Sequence, residues 1–216
     1  TFKSINNGFV FGGQYAPVAK ATPVDIEHWE ADIAQARELG LTAIRTFVAW
    51  DRIEREEGQR DYTEILTALE LAKKHDIQVL VTIGGVFDNL QGIYPPQWLW
   101  QDHKAHQPIR DPAQPTDAPR PTGPLQWVCK DDPIYREKLN DFLRDAISRV
   151  AAYDNVHSWN VWNEPTSKPC YCPHTQQQFR KFLKTQYESP ELVAEAWSME
   201  FPVRFHDWDD ITAPGG

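Results

Sequence analysis

Three apolar runs begin at nearly equal intervals, near residues 9, 43 and 77, and this spacing constrains the fold more than any other feature of the chain. The first run is Gly8–Tyr15, GFVFGGQY, with glycines that allow close backbone approach at its end. Behind it, Ile26, Trp29, Ile33, Ala36 and Leu39 recur at helical spacing over Asp25–Leu39, and Gly40 follows as a C-terminal stop. The second run is Thr42–Trp50, TAIRTFVAW, followed by a helical pattern over Asp61–His75 with Tyr62, Ile65, Leu66, Leu69 and Ala72 on one face. The third, Ile77–Ile83, IQVLVTI, is the near-continuous apolar run of a parallel strand covered on both faces. A repeat of about 34 residues is the length of a βαβ unit. Three such units in register predict an α/β chain built on a parallel sheet, either part of a barrel or doubly wound.

A fourth unit follows a long interruption. Nine of the seventeen prolines fall between Pro95 and Pro133, so the insertion over 85–131 is neither regular helix nor central strand. It leaves the C-terminal end of the third strand and so forms a wall of any cleft there; Trp98 and Trp100 within it read either as packing under a long loop or as a sugar platform. Asp132 with Pro133 then reads as the cap and first position of a helix whose buried face is Tyr135, Leu139, Phe142, Leu143, Ala146 and Val150. Next comes Val156–Pro165, VHSWNVWNEP, whose aromatic and β-branched residues predict a buried strand. It ends on Asn163-Glu164.

That tip is where chemistry is expected. In α/β proteins with parallel strands, ligands bind at the C-terminal ends of the strands. A carboxyl placed there between Trp159 and Trp162 has its pKa raised by desolvation, as a general acid at neutral pH requires. The plainer alternative is a strand that closes in a polar turn. Arg45, inside an otherwise apolar strand, is either a buried guanidinium that needs a carboxylate partner or a solvated strand end. Two further helices are expected, one on Phe179, Phe182, Leu183 and Tyr187, the other capped by Ser189-Pro190 and ending near Trp197. No fifth strand is visible, so the expected sheet has four parallel strands, in the order 1-2-3-4 if the chain is part of a barrel.

Composition narrows the partners. The net charge of −9 and pI near 5.2 argue against nucleic acid or an anionic membrane surface, and no apolar run approaches the roughly 20 residues of a membrane span. Nine Trp, ten Phe and seven Tyr suit a sugar-binding cleft, where ring faces stack on pyranose C–H faces, and equally a large core. Three cysteines fit neither a disulfide framework nor an oxidising compartment, which favours a cytoplasmic over a secreted setting.

Asn163-Glu164-Pro165 closing a fourth strand resembles the acid/base signature of the retaining (β/α)8-barrel glycosidases. The chain as a whole resembles the β-galactosidases of glycoside hydrolase family 42. The resemblance rests on Gly12-Gly13-Gln14-Tyr15 followed by Ala16-Pro17, on IEREEG over Ile53–Gly58 with Tyr62 beyond it, and on Pro95-Pro96-Gln97-Trp98-Leu99. It continues through the segment from Phe179 to Ile211, with its Glu-Ala-Trp and Asp-Trp-Asp-Asp-Ile. It implies that residues 1–216 are the N-terminal part of a (β/α)8 TIM-barrel domain and carry about its first four βα units, since such a barrel takes about 250 residues.

The implied activity is a retaining, β-galactosidase-like O-glycosyl hydrolase acting on a carbohydrate and needing no cofactor for catalysis. Glu164 inherits the role of general acid/base and Asn163 that of holding the sugar 2-hydroxyl. Arg45 supports the nucleophile, Tyr15 belongs to the strand lining the sugar site, and Trp98 takes a place against the substrate. A retaining mechanism needs a second carboxylate about 5–5.5 Å from the first; in the superfamily it lies on a seventh strand, outside this chain. Asp51, Glu54 and Asp88 are the carboxylates here that could instead make an inverting pair.

Cys129, Cys170 and Cys172 resemble three of the four thiolates of a zinc site carried by many family members, whose fourth lies three residues beyond the Cys-x-Cys. Here that place is Thr175, so a structural zinc would be closed by another group, with His174 nearest in sequence, or lost; free thiols and a disulfide to Cys129 are the alternatives. The competing readings of function are another barrel glycosidase, of the family 5 mannanase or glucanase type, and a non-catalytic carbohydrate-binding half-barrel. A half-barrel on its own is expected to self-associate or to need a complementary C-terminal half.

Overall fold

In the computed structural model, residues 10–16, 26–83, 95–103, 128–161, 170–198 and 202–213 are described, and they fall into two compact units. The first unit carries β1 (Gly12–Gln14), α1 (Ile26–Glu38), β2 (Ala43–Phe47), α2 (Trp50–Ile53), α3 (Thr63–Lys74), β3 (Gln78–Thr82) and α4 (Trp98–Gln101). It also holds most of α5 (Pro133–Val150), from Lys138 onward, and β4 (Val156–Asn160). The second unit contains α6 (Pro173–Gln186), α7 (Pro190–Trp197) and a short 3-10 turn at Trp208–Asp210.

The four strands make one parallel sheet in the order β1-β2-β3-β4. A doubly wound sheet reverses its strand order at a switch point; this one does not, and the consecutive order is that of successive units in a barrel. The two faces differ. Ile44, Thr46, Val79 and Val81 are buried on one, where α3 packs against β2 and β3. Ala43, Arg45, Gln78 and Leu80 alternate onto the other and are only half-buried.

Two glycines are fixed by geometry. A Cβ on Gly12 would stand 2.8 Å from the carbonyl oxygen of Ala43, so β1 approaches β2 too closely for any side chain there. Gly40 has φ +90°, a backbone that L residues rarely adopt, and ends α1 as its place in the sequence predicts.

The strands are shorter than the apolar runs. β2 stops at Phe47 instead of reaching Trp50, because the Trp50 indole N–H donates to Glu54 Oε2 at 2.8 Å, and an i,i+4 pair of that kind needs a helical turn. Trp50 also stacks on Phe142 of α5 with ring centroids 5.0 Å apart, which anchors the core of this unit. β4 differs more. It was expected to be buried, yet all five of its residues are half-buried, and Val161 just beyond is 68% exposed. The reason is position: among the described residues β4 pairs with β3 alone and is an edge of the sheet. Trp162, Asn163 and Glu164 lie outside the described residues, as does most of the proline-rich insertion.

Capping follows the sequence closely. Asp132 Oδ1 accepts from the Tyr135 N–H at 2.9 Å with Pro133 in first position, and the Ser189 hydroxyl accepts from Leu192 N–H at 3.4 Å ahead of α7. The second unit has its own core, Leu183, Val193 and Ile211, flanked by Phe179, Tyr187, Phe205 and Trp208. Arg180 closes it by donating to the carbonyl of Ile211 at 2.9 Å and to the carboxylate of Asp209 at 2.9 Å.

Candidate functional site

At the C-terminal ends of the strands, the register gathers polar side chains on the half-buried face. Gln14 pairs with Arg45 across β1 and β2, and Thr82 pairs with Phe47 on one side and Asn160 on the other. Cα partners in a parallel ladder point to the same face, so Gln14, Arg45, Thr82 and Asn160 share one. A register shift in β4 determines part of this set: Val79 pairs with Val156 but Leu80 with Ser158, which leaves His157 as the extra residue. Without that bulge, His157 and Trp159 would occupy the face that Ser158 and Asn160 now hold.

Arg45 is the centre of the group. Its Nε donates to the Thr82 hydroxyl at 2.8 Å, and its guanidinium carbon sits 5.2 Å from the centroid of the Phe47 ring, two residues along on the same face. A hydroxyl and a ring face therefore hold the stem of the guanidinium. Thr82 was not singled out in the sequence, although one hydroxyl near the end of an apolar run is a signal in itself.

Tyr15 takes the opposite side. It follows Gln14 by one residue, and its hydroxyl donates to Asp32 Oδ2 of α1 at 3.2 Å. Burial, reinforced by the Asp32 carboxylate, pushes the phenol well above its ordinary range. The residue that β1 sends to the Arg45 face is Gln14. Strand alternation puts Gln14 and Tyr15 on opposite faces, and the register with β2 decides which of them joins Arg45.

Trp98 is in the core. It is 5% exposed, its indole N–H donates to the carbonyl of Glu54 at 2.9 Å, and its ring meets Trp50 edge-on at 6.1 Å and His103 at 5.8 Å. A ring enclosed in this way has no free face for a sugar; of its two readings, packing is the one it fits. Glu54 is likewise a structural carboxylate, 2% exposed, held by the Trp50 indole, by the Gly58 N–H at 2.9 Å and by Arg60 at 3.1 Å. It is not placed to activate a water in an inverting pair. Of the other two candidates for that duty, Asp51 lies on α2 and Asp88 lies outside the described residues.

In the second unit, Cys129, Cys170 and Cys172 are buried with their sulfurs within 4.8 Å of one another. Cys129 Sγ lies 3.4 Å from Cys172 Sγ, and Thr175 Oγ1 lies 3.4 Å from the first and 3.5 Å from the second. Hydrogen bonding with the Cys170 thiol, together with burial, pushes the Cys129 thiol far up when no cation is present. The donor set is soft, buried and convergent, and it fits a thiophilic cation such as zinc. His174, expected as the nearest closing group, is not part of the cluster; the oxygen that stands there is that of Thr175.

The sequence profile of glycoside hydrolase family 42, described as beta-galactosidase, matches residues 18–216. The chain belongs to that family. Beta-galactosidase BgaH of Haloferax lucentense is 28% identical over 193 residues, covering 87% of this chain and 28% of its own length. Beta-galactosidase BglY of Alicyclobacillus acidocaldarius is 27% identical over 208 residues, covering 96% of this chain and again 28% of its own length. Among solved structures, the polyextremophilic beta-galactosidase of the haloarchaeon Halorubrum lacusprofundi superposes with a TM-score of 0.76 at 25% identity, over 96% of this chain and 30% of that one. The chain thus spans under a third of the relatives it matches, and it carries four strand–helix units of a (β/α)8 barrel. The match to family 42 runs through the Cys-x-Cys segment and the Glu-Ala-Trp tail.

Proposed function

We propose that this chain is the acid/base-bearing part of a retaining β-galactosidase. Family membership over residues 18–216 carries the reading, and the sheet supports it: consecutive parallel strands with Gln14, Arg45, Thr82 and Asn160 together at their C-terminal ends. The substrate is a β-galactoside or a closely related β-glycoside. Glu164 protonates the leaving oxygen and then deprotonates the water that frees the glycosyl-enzyme, while Asn163 holds the sugar 2-hydroxyl. Arg45 supports the nucleophilic carboxylate, which comes from outside these residues.

The three thiols hold one zinc ion in a structural role. Bound there, zinc would tie the segment at Cys129 to the start of α6, contributing folding free energy to the second unit and no step of the hydrolysis.

The test of catalysis is Glu164→Ala in the full-length enzyme. An aryl galactoside with an acidic phenol barely needs protonation, so glycosylation stays fast, whereas deglycosylation loses its base; the intermediate accumulates with a burst and a low apparent KM. Azide needs no base and restores turnover, giving a glycosyl azide of retained configuration. With lactose the loss is about 10²–10⁴-fold. Cleavage of lactose at the wild-type rate would remove Glu164 from the role.

A further inference from the structure

We propose that Thr175 supplies the fourth metal-binding position of the cysteine cluster, so that the site offers a soft divalent cation three sulfurs and one hydroxyl oxygen. This rests on the reading that the three thiols hold zinc, and adds to it the group that completes the shell.

The distances carry the assignment. A tetrahedron with Zn–S of about 2.3 Å and Zn–O of about 2.0–2.2 Å has S···O edges of about 3.5 Å and S···S edges of about 3.8 Å. Thr175 Oγ1 stands 3.4 and 3.5 Å from the sulfurs of Cys129 and Cys172, the length of such S···O edges. The Cys129–Cys172 separation, 3.4 Å, needs to open by only a few tenths of an ångström, and the three sulfurs together already lie within 4.8 Å.

Local structure holds these atoms in place without a metal. Cys172 is the N-cap of α6, and its sulfur accepts the backbone N–H of Thr175 at 3.5 Å, which fixes residues 172 and 175 to the first turn of one helix. The Cys172 N–H donates in turn to Cys170 Sγ at 3.4 Å. The backbone of Thr175 is thus tied to the same helix turn as the Cys172 sulfur.

The consequence is chemical. Three thiols release three protons when Zn²⁺ binds, and the hydroxyl keeps its own, so the complex carries one negative charge where four thiolates would give two. A neutral hydroxyl is the weakest donor of the four, which makes its position the one at which the shell opens first.

The experiment uses full-length protein loaded with Zn²⁺ or Co²⁺, with affinity read by competition against a chromophoric chelator. X-ray absorption of the zinc form should return three sulfurs near 2.3 Å and one oxygen near 2.0–2.2 Å. Thr175→Ser keeps the oxygen and should bind within about threefold of wild type, whereas Thr175→Val should bind about tenfold or more weakly and change the Co²⁺ ligand-field spectrum. Wild-type affinity and an unchanged spectrum in Thr175→Val would overturn the assignment while leaving three-thiol binding intact. Absence of metal binding by the wild type would overturn both. If the valine variant fails to fold, Thr175→Cys decides: a fourth sulfur in the shell with tighter binding and slower loss to chelator supports the position, and an unchanged three-sulfur shell refutes it.

Discussion

The Nε of Arg45 donates to the Thr82 hydroxyl at 2.8 Å across two neighbouring parallel strands. The hydroxyl is fully buried, so it fixes where the guanidinium leaves the sheet. If Arg45 supports the nucleophile of the whole enzyme, Thr82 positions that support without touching sugar. Hydrogen bonds to charged groups contribute about 1.5–3 kcal/mol. Thr82→Val in the full-length enzyme should therefore lower kcat by about 10- to 100-fold with little change in KM, and Thr82→Ser should restore it. Equal loss in the serine and valine variants would mean that the residue serves packing alone.

Glu54 illustrates how a motif and its role separate. IEREEG is conspicuous as text, but nothing in the text says that Glu54 turns inward to meet Trp50, Gly58 and Arg60. Removing it leaves the Arg60 guanidinium, half-buried beneath α5 and 5.7 Å from the Phe142 ring, with a weaker set of partners at Asp141 and Asp145. Breaking a buried pair from one side costs about 3–5 kcal/mol. Glu54→Ala should lower the urea midpoint of the first unit accordingly, and Glu54→Gln, whose single amide oxygen can accept from only one of the Trp50 and Gly58 N–H groups, should lower it as well.

The pH dependence of stability follows from Asp145. Burial alone would raise its pKa; the Tyr62 hydroxyl at 2.9 Å, Arg149 at 2.9 Å and Arg60 outweigh burial and hold it below the ordinary carboxylate value. A depressed carboxyl contributes stability above its unfolded pKa and loses it as pH falls through the folded one. Glu57, lowered by Lys138 and His103, adds to the same slope. Acid titration of the urea midpoint should therefore fall steadily below about pH 5, and Asp145→Asn should flatten that fall while lowering the midpoint at neutral pH. On the alkaline side the sign reverses. Burial and Asp145 raise the Tyr62 phenol, so its contribution is present below about pH 10 and lost only as pH rises through the folded value.

What the sequence disclosed is what local physics determines. The repeat of about 34 residues led to the first three parallel strands, and Asp132-Pro133 and Ser189-Pro190 led to two helix starts, because period and capping are properties of a few adjacent residues. Sidedness was less legible. Tyr15 and Gln14 are neighbours, and only the register with β2 tells which of them shares a face with Arg45. The bulge at His157 moves Ser158 and Asn160 onto that face, and no residue type there announces it. Trp98 could be packing or platform by composition; its indole bond to Glu54, 44 residues away, is a tertiary fact.

The last prediction concerns the sheet edges. Among the described residues β1 pairs only with β2 and β4 only with β3, so each leaves one side of its backbone without a strand. Phe11 ahead of β1 is 50% exposed and Val161 after β4 is 68% exposed, and the face bearing Arg45 and Leu80 is only half-covered. Several hundred Å² of apolar surface left wet costs on the order of 10 kcal/mol at about 25 cal/mol per Å², comparable to the stability of a whole domain. Residues 1–216 produced on their own should therefore associate through these edges, and sedimentation should show mass rising with concentration. Phe11→Lys with Val161→Lys should shift the distribution toward monomer, because charge on an edge strand opposes strand addition. Co-production with the remainder of the full-length protein should suppress self-association altogether, since the edges are then taken by the strands that complete the barrel. A monomer that stays folded at high concentration without that remainder would mean that the four-unit sheet is stable with its edges bare.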